Sequence, residues 1–132
     1  MPVYTTYLGF LNKHGGAHKV GMKIGSCFIY YVMRNRGNNE VAPTKETLSV
    51  VKEMVKRENP NAWEIYKKNY FYCLTEKSFD WMEKRAGEAK LGNILLVCYE
   101  GPKYGKQCHR FLLAEEIAKR FNVEYKGEVD VI

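Results

Sequence analysis

The sequence predicts an α/β domain: one three-layer unit over residues 1–132, with a mostly parallel central sheet of about four strands and helices on both faces. Three observations predict it. Strand-like and helix-like stretches interleave along the chain, as they do when helical crossovers join parallel strands. Two of the strand-like runs, "SCFIYYVMR" and "NILLVCYE", are continuously apolar instead of alternating, which marks strands covered on both faces. The length, 132 residues with 45% apolar and 14% aromatic side chains, suffices for one core and argues against disorder. Internal repeats, low-complexity tracts and interdomain linkers are absent from the sequence.

Taken in order, Val3 to Phe10 is rich in β-branched and aromatic residues and reads as a first strand. "NKHGGAHKVGMKIG", with four glycines, reads as a flexible loop. Residues 26–34 form the second strand and open into the polar loop "NRGNNEVAP". Three helices follow. Thr44 caps the first, which carries Leu48, Val51, Met54 and Val55 and ends at Asn59-Pro60. "NAWE" reads as a capping box with Asn61 as cap and Glu64 reaching back, ahead of an aromatic face of Trp63, Tyr66 and Tyr70 with Cys73 and Leu74. The third starts near Thr75 or Ser78, buries Phe79, Met82, Ala86 and Ala89, and stops at Leu91-Gly92. Residues 93–100 are the next buried strand, and "VEYKGEVDVI" alternates as a final edge strand.

Between those last two strands lies a helix whose stripe is Leu113, Ala114, Ile117, Ala118 and Phe121. Its start is poor. No Ser, Thr, Asp or Asn stands at the cap, while Lys106, His109 and Arg110 crowd the end where the macrodipole is already positive. Each misplaced cation costs roughly 0.3–1 kcal/mol there. An anion would reverse the sign, because free N–H groups at a helix N-terminus bind phosphate or carboxylate and Arg offers a bidentate fork. The bland alternative is that these side chains fan into water at little cost. In parallel sheets the loops after strand carboxyl ends share one edge, where ligands bind. That edge would gather the glycine-rich stretch, "RNRGNNE" and "EGPKYGKQCHR".

Charge points the same way. Residues 1–39 hold Lys13, Lys19, Lys23, Arg34 and Arg36 and no acid, which accounts for nearly all of the net +6. Such an excess favours an anionic partner, though it is also ordinary surface lysine and arginine. Cys108 at a helix start beside basic groups should have a lowered pKa, with His109 as a proton relay and Glu100 as general base or partner of Arg110. Inert burial of Cys108 is the competing reading. Cys98 and Cys108 are separated by nine residues, which fits no usual zinc pattern, so no metal and no cofactor is assigned. A regulatory disulfide between them stays open. Tyr4 and Tyr7 reach the edge or simply pack, and Arg34 and Arg36 meet phosphate or water. With no apolar run near the roughly 20 residues of a membrane helix and no signal-peptide pattern at the N-terminus, a cytoplasmic protein with reduced thiols and no membrane partner is expected.

The stretch "LLVCYEGPKYGKQCHRFLLAEEIA" resembles the signature of an uncharacterised family, domain of unknown function 488, in which Cys-x-Glu ends a strand and Cys-His-Arg opens a helix. "VYTTYLGFLNK", "EVAPTKETL" and "NAWEIYKKNYFYCL" are similar to other parts of that family, so the resemblance covers most of the chain. It implies an α/β architecture, points to Cys98, Glu100, Cys108, His109 and Arg110, and with less force to Tyr4, Thr5, Tyr7, Arg34 and Tyr70. Val32 and Phe111 depart from it, standing where many members have Asp and His. If either missing group handles protons, activity would be altered or lost.

The reading that results is an anionic small molecule held at Cys108-His109-Arg110, with Lys106 and Cys98 beside it and cysteine-based catalysis as an open extension. Whether the chain is an enzyme is left open. The alternatives are a basic nucleic-acid-binding module, using Arg34, Arg36 and the interspersed tyrosines, and a protein-interaction subunit. Oligomeric state is not legible.

Overall fold

The computed structural model describes residues 2–25, 27–99 and 108–129. Four parallel strands, β1 (Val3–Tyr7), β2 (Cys27–Tyr31), β3 (Asn93–Cys98) and β4 (Tyr125–Glu128), stand in the order β2-β3-β1-β4. Ile94, Leu95, Leu96 and Val97 of β3 are wholly buried, as the unbroken apolar run requires of a central strand. Each such side chain contributes roughly 1.5–3 kcal/mol of transfer free energy. The pleat sends them to opposite faces. Ile94 and Leu96 pack with Trp81, Met82, Leu113 and Ile117, while Leu95 and Val97 pack with Phe10, Leu11 and Val20. The three-layer α/β reading is therefore correct.

The glycine-rich stretch is not a loop. The first strand stops at Tyr7, short of the expected Phe10, and its last three expected residues open α1 (Leu8–Lys13). The glycine-rich stretch closes α1 and forms α2 (Ala17–Lys23), the two joined through Gly15 and Gly16 at φ +92° and +101°. Those two positions need glycine; the flanking Phe10, Leu11 and Val20 are spent on the sheet. Packing overrides the weak local propensity, and the lysines of this segment sit on helices instead of in an edge loop.

The next helices are α3 (Lys45–Lys56), α4 (Ala62–Tyr72) and α5 (Glu76–Glu88). Thr44 caps α3 as expected, its Oγ1 accepting from the Thr47 N–H at 3.1 Å. Asn61 does not cap α4: its side chain makes no cap hydrogen bond, and its own N–H donates to Asn59 Oδ1 at 2.8 Å. Before α5, the Thr75 N–H donates to Ser78 Oγ, whose hydroxyl donates to the Glu40 carbonyl.

The final helix, α6 (His109–Phe121), closes at Asn122 in the left-handed conformation, with Lys119 and Arg120 in its last turn where the dipole favours them. Beyond it β4 pairs with β1 across a register shift, Val3 opposite Tyr125 but Tyr4 opposite Gly127. Gly127 takes φ +99° there. The bulge sets Thr5 opposite Glu128.

Candidate functional site

Two elements build the site. Cys98 is the last residue of β3, at the carboxyl edge of the sheet, and Cys108 is the N-cap residue of α6, with no side-chain cap bond. Cys98, Cys108, His109 and Arg110 are 1%, 3%, 2% and 1% exposed. The side chains do not fan into water; the first turn of α6 is packed inward. Met33 and Phe111 close over the two cysteines.

His109 is fixed by its ring. Nε2 lies 2.7 Å from the Val32 carbonyl, which can only accept, so Nε2 carries a proton. Nδ1 is left facing sulfur, 3.6 Å from Cys98 Sγ and 3.8 Å from Cys108 Sγ. Tyr70 lies against the imidazole with ring centroids 5.7 Å apart, and its hydroxyl donates to the Val41 carbonyl at 2.7 Å. Val32, one of the two departures from the family pattern, thus orients His109 through its backbone, which any residue supplies.

A hydrogen bond from Cys98 holds the Cys108 thiol far below its ordinary range; burial opposes this, and His109 and Arg110 reinforce it. The sequence anticipates the direction but not the main cause. Cys73, Cys98 and Cys108 carry no disulfide. Burial and the nearby cysteines push the Tyr70 phenol upward.

Arg110 requires a correction. Its fork does not wait for an outside anion: Nε and Nη2 donate to the two carboxylate oxygens of Glu128 at 3.1 and 2.6 Å. Burial would lower the Arg110 pKa, but Glu128 and the neighbouring sulfurs outweigh it and keep the guanidinium charged. The cation at the positive end of the helix is thus neutralised by the chain itself. One group is left over, since Nη1 is buried and has no hydrogen-bond partner among the described residues. The guanidinium carbon stands 4.3 Å from the Phe111 ring centroid and 5.9 Å from that of Tyr7.

The remaining predicted residues divide. Tyr7, opposite Cys98 in the sheet register, reaches the site. Tyr4 packs with Phe10 and Leu11 on the α1–α2 face. Arg34 lines a shallow groove of about 360 Å³ with Asn39, Pro43 and Thr44 at the start of α3. Glu100 and Lys106 lie outside the described residues. Sequence reasoning missed Glu128 and Tyr125, whose hydroxyl meets Thr5 Oγ1 at 2.6 Å. Only their alternation within the last strand marks them, and alternation does not say which strand is the neighbour.

Buried thiols, an imidazole and a charged guanidinium in one helical turn can bind an oxyanion, attack an electrophile or ligate a soft cation. Compared with family models, curated proteins and solved structures, the chain finds no match.

Proposed function

We propose that this protein binds a small anionic molecule at the carboxyl edge of its sheet, with the Cys108 sulfur as the reactive atom. The observation that supports this is the first turn of α6. It joins the Cys108 sulfur, the His109 Nδ1 and the Arg110 Nη1, which has no hydrogen-bond partner among the described residues, at a helix N-terminus. A phosphate or carboxylate oxygen would accept from Nη1 and from backbone N–H groups of that turn, while Glu128 keeps the guanidinium in place. Cys98, Cys108, His109 and Arg110, which build the site, also belong to the motif that carries the resemblance to the domain of unknown function 488 family, and membership of that family is part of the proposal.

Iodoacetamide labelling of the reduced, chelator-treated chain, mapped by mass spectrometry, tests it with Cys73 as an internal, exposed control. Inorganic phosphate should slow labelling of Cys108 severalfold and leave Cys73 unchanged. Failure of Cys108 to label at all, or labelling indifferent to phosphate, overturns the proposal.

A second reading, single-stranded nucleic acid, is favoured by one surface feature. Exposed Arg36 lies over the rings of Tyr31 and Tyr99, at 5.5 and 5.8 Å from their centroids. Stacked aromatics with arginine suit unpaired bases. Salt-sensitive binding of an oligonucleotide that Tyr99→Ala weakens would support it; no retention at low salt would discard it.

A further inference from the structure

We propose that Cys98, Cys108 and His109 hold a thiophilic divalent metal ion, zinc by chemical preference. The inference deepens the reading above by naming what occupies the same site, and it rests on that site being functional. The ligating atoms of the three residues, two Sγ and one ring nitrogen, all lie within 4.8 Å of one another. In a tetrahedral zinc site with Zn–S about 2.3 Å and Zn–N about 2.0–2.1 Å, a sulfur and a nitrogen sit about 3.6 Å apart. The observed Sγ···Nδ1 separations are 3.6 and 3.8 Å.

Orientation gives a second, independent argument. Metal-bound histidines almost always donate their other ring N–H to a carbonyl or carboxylate, which fixes the ring and raises ligand basicity. His109 does this through Nε2 to Val32, so Nδ1 is aimed at the sulfurs. Binding forms two metal–sulfur bonds and one metal–nitrogen bond and breaks the S–H bond of each sulfur still protonated, its proton passing to solvent; no oxidation state changes. Two cysteines and one histidine are the ligand set of a catalytic type of zinc site, whose fourth position takes water or substrate. An anionic ligand would bind there, with Arg110 Nη1 as its second contact.

The sequence alone conceals this. Nine residues separate the cysteines and the histidine is adjacent to the second one, so the spacing matches no zinc pattern. Only the strand end and the helix start, once folded, bring the atoms together.

The test uses the full chain, stripped of metal under reducing conditions and titrated with cobalt(II). The expected result is one equivalent bound with thiolate-to-cobalt charge transfer and tetrahedral ligand-field bands, displaced by zinc. Cys98→Ser and Cys108→Ser should each weaken binding by more than the roughly 10–100-fold typical of an outer-shell change, and Cys73→Ser should not. If Cys108→Ser fails to fold, Cys98→Ser carries the same comparison. Cobalt that does not bind stoichiometrically, or binding unmoved by Cys98→Ser, overturns the proposal. Phosphate protection of Cys108 in the stripped protein separates the two readings: its survival without cobalt binding removes the metal alone, and its loss as well removes the anion site.

Discussion

Arg110 and Glu128 face each other with the guanidinium at 1% and the carboxylate side chain at 16% exposure. Removing one member of a buried pair strands the other, so Glu128→Gln should cost roughly 3–5 kcal/mol, measured by urea unfolding. Replacing both, as Arg110→Met with Glu128→Leu, should recover much of that loss, because a buried pair contributes little beyond its own desolvation. The same pair shows where residue-level reading stops. Chemistry in the sequence requires a negative charge near Arg110; that the charge belongs to Glu128 depends on β4 lying beside β1, and nothing local to either residue encodes that neighbour.

At the scale of elements, helix starts separate a residue type from its use. Thr44→Ala should destabilise the protein by about 1 kcal/mol, since the hydroxyl serves the Thr47 N–H. Asn61→Ala should cost far less despite the better cap residue, since that side chain makes no cap bond. Paired urea melts of the two variants decide this. The long amphipathic stretches, α3, α5 and α6, were legible because four or more apolar positions repeat at helical spacing. The short α1 and α2 were not, because six- and seven-residue helices owe their form to the sheet they cover and their glycines read as breakers.

For the molecule as a whole, three phenols tie stability to alkaline pH: Tyr70, raised by burial, and two others. Tyr30 is pushed up to about 12 by burial and by its hydrogen bond to Glu88, and Tyr125 to about 12 by burial. Ordinary tyrosines ionise near about 10. The unfolded chain therefore loses these protons first and binds fewer of them than the folded one. Stability should fall as pH rises from about 10 to about 12, and the fall should be shallower in Tyr30→Phe. An unfolding midpoint flat across that window, or a variant identical to the parent, would contradict the assignment. Layering was legible at this scale because the two unbroken apolar strands demand cover on both sides. Strand order was not, since any order of buried parallel strands satisfies the same pattern.

The central claim is that two cysteines and a histidine, remote or awkwardly adjacent in sequence, act as one centre. X-ray absorption at the zinc edge, on protein loaded with one equivalent, tests it most directly. The account predicts a shell of two sulfurs at about 2.3 Å and one imidazole nitrogen at about 2.0–2.1 Å. A shell of oxygen and nitrogen alone would contradict it.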